Sequence, residues 1–499
     1  MLFNSAEFCL FFFPLVTGLY FLLPHKWRWL LLLGASCWFY MAFVPLFIAI
    51  LAFTIGVDYF AGLAIERNEG SRRKFFLVAS IIANVGVLAV FKYWDFLNGN
   101  LTSLFGSIGI EYHLPKLNEW TFFGFLPAGM VLPIGLSFHT FQSLSYTIEV
   151  YRKHQKAEHR FGVFALYVMF YPQLVAGPIE RPANLLNQLN AQEGAGIRSH
   201  FNYDRVVWGL KQMLWGFFKK LVIADRCAQI VNIAYADPQN YNGWALLLAT
   251  YLFAFQIYCD FSGYTDIALG AARVMGFDLM VNFRTPYRSK SISEFWSRWH
   301  ISLSSWFRDY LYIPLGGNRV AKGRLYFNIL FVFLVSGLWH GANWTYVIWG
   351  ALHGLYLVAA ILCAPLWKNV AIVTGSVRRA KWMSALHMFV TFHLVSLAWV
   401  FFRATNVQDG LHVVAKWVGI VGGGQPPSAL ALAAVPGVFW LTGLIVCLFT
   451  LIDPFMDAVV KGERHIRSKW SDLTLFAVLF LACFVLGRFG ESTFIYFQF

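Results

Sequence analysis

Two histidines, His300 and His340, fall in the runs EFWSRWHISLSSWFRDYLYIPLGG (294–317) and VSGLWHGANW (335–344) of a very apolar chain. An imidazole titrates near neutral pH and takes a proton from a hydroxyl within hydrogen-bond reach, which is the chemistry of a general base. It is also costly in hydrocarbon, and is kept there for function or by a hydrogen bond to a neighbouring helix. Both readings stay open at this level, because His139, His353, His387 and His393 also lie in apolar runs.

The elements that carry these residues are expected to be helices in a bilayer. The chain has 499 residues, 58% hydrophobic and 13% charged, whereas soluble domains carry about a quarter charged residues. The apolar stretches predict an all-α, polytopic membrane protein of roughly 11–12 transmembrane helices at about 20 residues each, with re-entrant and interfacial amphipathic helices. We read residues 1–499 as a single membrane-embedded domain, with a core at about 125–365 and peripheral helices at 1–124 and 366–499. The N-terminal stretch lacks a basic region and a small-residue cleavage site, so it reads as a retained helix. The seven cysteines form no CxxC pair and no zinc spacing, so they read as core filler and no metal site is expected. The net charge of +14 suits cytoplasmic loop flanks and gives no reason to expect nucleic acid.

Loop charge sets a predicted topology. Placing the N-terminus outside puts His25, Lys26 and Arg28, the cluster Arg67 to Lys74, and YRKHQKAEHR (151–160) inside. A crossing is expected at about 75–94, then a polar outer loop at 95–121 and a return over 125–150. Residues 161–176 are too short to cross. Segments near 206–234 and 244–272 lead to a long inner segment, 273–324, with nine Lys or Arg against three acids. Arms at 325–338 and 344–363 flank WHGAN, and further spans follow at about 382–402, 434–452 and 470–487. No sequence repeat is visible, which weakens a transporter reading.

Within this frame the arm 325–338, about 21 Å long at 1.5 Å per residue, falls short of a hydrocarbon layer of about 30 Å. That would leave His340 at membrane depth, at a break flanked by Gly337 and Gly341, with Trp339, Asn343 and Trp344 supplying walls and one amide. The aromatic spacing around His300 predicts one amphipathic helix capped by Ser293. Arg298, Arg308 and Arg319 either contact the phosphates of an anionic donor or are solvated charges of the inner face. In YCDFSGYTDIALG, Asp260 and Asp266 either orient a histidine or pack against another polar group, and Asp309 is a candidate for an arginine pair.

The blocks FYPQLVAGPIERP (170–182), YCDFSGYTDIALGAARVMGF (258–277), NFRTPYRSKSISEFWSRWHISLSSWFRDYLYIPLGGNR (282–319), LWHGANWTYVIWGALHG (338–354) and FIYFQF (494–499) resemble the membrane-bound O-acyltransferase family. The resemblance is to its bacterial alginate and polysaccharide O-acetylase branch, and runs over essentially the whole chain; residues 95–121 do not fit the pattern. It implies that His340 of the WHG block is the general base and His300 of the RWH block the second active-site histidine, around a central funnel. The implied reaction moves an acetyl group from a cytosolic thioester, acetyl-CoA or another, toward hydroxyls of an extracytoplasmic polysaccharide, with no bound cofactor. The implied setting is a bacterial inner membrane, with the N-terminus periplasmic and extracytoplasmic acetylation proteins as partners. The alternatives are an acyl exporter that hands acetyl to a partner transferase, a proton-coupled transporter or flippase, and transfer to a lipid or protein hydroxyl.

Overall fold

Where water is excluded, an apolar run satisfies its own N–H and C=O groups only by coiling into a helix or pairing in a closed barrel. The computed structural model takes the first course. It describes residues 1–117, 133, 135–175, 177–191, 201–373, 381–464, 466, 468–489, 494 and 495, with the side chains of 366–373 and 381 left aside. Among these residues there is no strand, and one isolated bridge joins Tyr241 to Gln425. Seven helices among the described residues are long and apolar enough to cross a membrane: Phe47–Arg67, Gly70–Ser107, Gly243–Met275, Trp344–Pro365, Trp382–Arg403, Pro436–Val460 and Lys469–Leu486. The protein is an all-α, multi-pass membrane protein. Large apolar side chains such as Leu451, Phe480 and Phe484 stand exposed along the crossing helices, as lipid contact requires.

The described chain separates into two compact units. The first comprises Met1–Leu210 and Ala268–Met280. It contains α1 (Phe13–Leu22), α2 (His25–Met41), α3 (Phe47–Arg67), α4 (Gly70–Leu88), α5 (Trp94–Ser107), α6 (Leu136–Tyr151), α7 (Phe161–Met169), α8 (Tyr171–Leu174) and α9 (Pro182–Asn190). Helices α3, α4 and α6 pack together around Asp58, whose buried carboxylate accepts from Ser80 (2.6 Å), Asn84 (2.9 Å) and Ser143. The region expected as an outer loop from residue 95 is instead helical to Ser107, joined to α4 through the π turn Ala89–Tyr93. Its polar side chains do not break the helix because they bond back one turn, Asn100 to the Phe96 carbonyl at 2.7 Å and Thr102 to the Asn98 carbonyl at 2.9 Å. Residues 118–132, which take in the end of the expected outer loop and the start of the return crossing expected over 125–150, lie outside the described residues.

The second unit comprises Lys211–Ile267 and Val281–Phe499. Two helices run across the division, α10 (Tyr203–Phe217) and the 33-residue α12 (Gly243–Met275), and between them lie the π turn Phe218–Ala224 and α11 (Asp225–Ala236). The unit continues with α13 (Ile292–Arg298), α14 (Ile301–Phe307), α15 (Lys322–His340), α16 (Trp344–Val373), α17 (Lys381–Arg403), α18 (Val407–Trp417), α19 (Pro427–Ala433), α20 (Pro436–Val460) and α21 (Lys469–Leu486).

Two expectations are corrected here. The arm before WHG begins at Lys322, not 325, and runs without interruption to His340. Its 19 residues give it a length of about 28 Å, so length no longer argues that His340 stops short in the layer. The segment around His300 is two short helices rather than one, and the N-cap is Ser291, whose Oγ accepts from the Glu294 N–H at 3.1 Å. The Glu294 carboxylate in turn accepts from the Lys290 N–H at 2.8 Å; the Ser-x-x-Glu spacing that favours such a cap begins at Ser291, whereas Ser293 has Trp296 at the matching position.

The hairpin of α15 and α16 is drawn tight by small residues. A Cβ at Gly337 would stand 2.3 Å from the Tyr346 carbonyl oxygen, and one at Gly350 would stand 2.2 Å from that of Phe333. Glycine at both positions lets the two backbones touch, which is the packing that stabilises helix pairs where lipid removes the hydrophobic drive.

Candidate active site

His300 occupies the two-residue break between α13 and α14 with left-handed backbone angles, φ 43° and ψ 55°. For a residue with a Cβ that conformation costs about 1–2 kcal/mol. It is held by the strand-like strap 282–284. The Arg284 N–H donates to the Arg298 carbonyl (3.0 Å), and the Ile301 N–H donates to the Asn282 carbonyl (2.9 Å). The buried Asn282 amide oxygen also accepts from Ser302 Oγ at 2.6 Å. These bonds satisfy the last carbonyl of one helix and the first N–H of the next, so the break is built into the fold. The imidazole is fully buried and stands edge-on to Phe261 of α12, with ring centroids 4.7 Å apart. It lies outside the helices able to cross the membrane, and its desolvation pushes the pKa down to about 3.

His340 is the last residue of α15, and the chain turns away at once through extended Gly341. A Cβ there would lie 2.2 Å from the Tyr346 ring, which accounts for glycine directly after the histidine. The His340 ring is 3% exposed and is boxed by Trp339 (4.9 Å), Trp349 (4.9 Å) and Phe402 (5.4 Å). Trp339 is also 6.2 Å from the His300 ring. The two centroid distances to this shared indole bound the imidazole separation at about 11 Å. Residues forty positions apart are thus gathered around one tryptophan.

A cavity of about 610 Å³ lies between α13, α14 with the π turn Arg308–Tyr312, α15 and α16, lined by residues one helical turn from each histidine and by neither histidine itself. Its wall includes Trp296, Ser304, Arg308, Val332, Ser336 and Leu357. Ser304 lies one turn beyond His300, whose carbonyl accepts its N–H at 2.9 Å. Ser336 lies one turn before His340 and on the same face of α15. The cavity is apolar with a few hydroxyls and one guanidinium, the usual make-up of a site for a flexible, partly polar ligand.

The other expected site residues divide. Asp260 and Asp266 are committed to lysines. Lys220 lies 2.7 Å from Asp260 and 2.9 Å from Asp225, and Lys219 pairs with Asp266. Asp260 also accepts from the Ile495 N–H at 2.7 Å. The π turn Phe218–Ala224 brings both consecutive lysines into the interior, both nearly inaccessible. Asp309 does pair with an arginine, Arg308, at 2.8 Å. Arg298 is tied to Glu294 at 2.7 Å, while Arg308 reaches the cavity wall and Arg319 is exposed and does not line it. Asn343 does not join the histidines: its oxygen caps α16 through the Thr345 N–H (3.1 Å), and its amide nitrogen donates to the Thr405 carbonyl (3.3 Å).

Several members escaped sequence reasoning. Phe261, Trp349 and Phe402 are indistinguishable from core aromatics until their neighbours are known. Lys219 and Lys220 carry no signal that a π turn will invert their usual exposure. His353 is visible only as one more histidine in an apolar run; its Nδ1 accepts from the Trp296 indole N–H at 3.3 Å.

Comparison with known proteins identifies the family. The pattern of the MBOAT, or membrane-bound O-acyltransferase, family matches residues 143–401, which include both histidines. A probable alginate O-acetylase AlgI of Azotobacter vinelandii is 39% identical over 82% of this chain and 76% of its own length. One from Pseudomonas putida is 36% identical over the full length of both. A peptidoglycan O-acetyltransferase of Helicobacter pylori is 32% identical over 85% of this chain and 80% of its own length. A shared pattern over half the chain, together with relatives of this similarity and coverage, makes the protein a member of the membrane-bound O-acyltransferase family and an O-acyltransferase.

Proposed function

We propose that the protein takes an acetyl group from a cytosolic thioester, acetyl-CoA or a related acyl carrier, and moves it toward hydroxyls of an extracytoplasmic polysaccharide. The relatives named for alginate and peptidoglycan O-acetylation favour a glycan acceptor. In this reading the protein sits in a bacterial inner membrane with its N-terminus periplasmic, and extracytoplasmic acetylation proteins complete the transfer.

The observation that carries the reading is the meeting of His300 and His340 at Trp339, beside a cavity whose wall ends one turn from each. A pantetheine-like arm suits that cavity. Its apolar stem would lie against Val332 and Leu357, its amides would face Ser304 and Ser336, and Arg308 would meet donor phosphates. His340 acts as general base: it takes the proton of the acceptor hydroxyl as that oxygen bonds to the thioester carbonyl carbon. The C–S bond then breaks, and the thiolate recovers the proton from the imidazolium. His300 is the second active-site histidine. Its burial favours a neutral ring, which can hold a hydrogen bond to the reacting group without competing as a charge.

Proteoliposomes carrying the full chain, given radiolabelled acetyl-CoA and a soluble glycan, test this. Label is expected on glycan hydroxyls, and is expected to vanish in a His340→Ala variant that still inserts. Normal transfer by well-expressed His340→Ala refutes the mechanism. Stable label on the protein without glycan favours the acyl relay to a partner transferase.

A further inference from the structure

His353 lies outside the mechanism above, yet it is wholly buried and its environment is specific. Its Nδ1 accepts the indole N–H of Trp296, so the ring proton of the neutral imidazole resides on Nε2. Trp296 forms part of the cavity wall. It sits on a helix of seven residues that ends one residue before the break at His300, too short to fix a large side chain by its own packing. The indole stands edge-on to the His353 ring at 5.0 Å and to Phe333, another wall residue, at 5.1 Å. One turn earlier on the same face of α16, Trp349 touches both His353 (5.1 Å) and His340 (4.9 Å).

We propose that His353 is a positioning residue for the acyl donor: by accepting the Trp296 N–H it sets the indole plane that shapes the cavity wall beside the two active-site histidines. This rests on the reading of the cavity as the donor site. Ring packing places the indole and this hydrogen bond fixes its orientation, so its loss falls on donor binding more than on the chemical step. Leucine at position 353 keeps the approximate volume and removes the acceptor; glutamine keeps an acceptor oxygen; phenylalanine at position 296 keeps a ring and removes the donor.

The test uses the full chain in proteoliposomes, with acetyl-CoA for kinetics and S-acetonyl-CoA, a thioether that cannot transfer its acyl group, for equilibrium binding. His353→Leu and Trp296→Phe are each expected to raise the donor KM and the analogue Kd about fivefold, the scale of one net hydrogen bond, with a smaller change in kcat. The double variant is expected to be no weaker than the worse single one, and His353→Gln to recover most of the loss. The proposal is overturned if the variants bind the analogue as the parent does, if kcat falls while KM holds, or if the two losses multiply. Unchanged variants in a parent that binds the analogue overturn this inference alone. A parent that transfers acetyl through His340 but fails to bind the analogue overturns the donor-cavity reading and this inference with it.

Discussion

His300 and His340 reach the same tryptophan from unlike backbones. His340 ends a regular 19-residue helix, and what specifies its place is the glycine after it and the aromatic box around it. His300 sits in a left-handed turn between two seven-residue helices, and its place depends on a strap of hydrogen bonds from residues 282–284. A side chain on a helix end can be exchanged with little backbone consequence. One in a left-handed turn carries conformational strain that the surrounding bonds must offset.

The largest expected difference is chemical. His340→Ala should lower acetyl transfer by about 10²–10⁴-fold, the contribution of a general base, with a modest fall in the thermal unfolding midpoint in detergent, because alanine suits a helix end but leaves space inside the aromatic box. His300 should separate chemistry from folding. Asparagine tolerates the left-handed region, so His300→Asn should lose transfer while remaining folded. His300→Val should lose transfer and also about 1–2 kcal/mol of stability. Equal unfolding midpoints for the two variants would remove the argument that the turn is strained.

Next in size is the support beneath His340. Gly350→Ala places a methyl 2.2 Å from a backbone oxygen and should cost about 1–3 kcal/mol, lowering both the unfolding midpoint and activity. Gly354→Ala meets the Leu330 side chain at 3.1 Å, where a flexible group can give way, and should be milder. If both variants unfold alike, the hairpin is looser than its glycines imply.

Acid provides a last comparison, read as a slope and not as a loss of activity. His300 is held near a pKa of about 3 by desolvation, against about 6.5 in an unfolded chain. Between those values the unfolded state binds a proton that the folded state refuses, so stability falls as pH falls, by up to about 1.4 kcal/mol per unit. His300→Asn should flatten the unfolding midpoint between pH 6.5 and 4.5 relative to the parent. An unchanged slope would mean that other groups carry the acid sensitivity.

Much of this was legible in the residues. Apolar content predicted an all-helical membrane protein, and the RWH and WHG blocks indicated the pair that the fold gathers at Trp339. The departures have local causes. The helix through residue 107 was hidden because Asn100 and Thr102 read as loop residues when their bonds to the preceding turn are unseen. The arm before WHG was drawn too short because Lys322 and Arg324 look like loop charge, although the first turn of a helix can hold them. Asp260 and Asp266 suggested partners for the histidines, and the lysines that engage them come from a π turn with no mark in the sequence.

The sequence alone determined the solvent, the all-helical class and the family pattern, because helix formation in lipid follows from local composition and the blocks are contiguous. Tertiary structure decided which imidazole meets which indole, which carboxylate is already neutralised, and that His300 must turn left-handed. Those outcomes depend on groups far apart in the chain, such as Phe261 against His300 and Lys220 against Asp260. No local pattern encodes them, since close packing lets each side chain be placed only when all of its neighbours are.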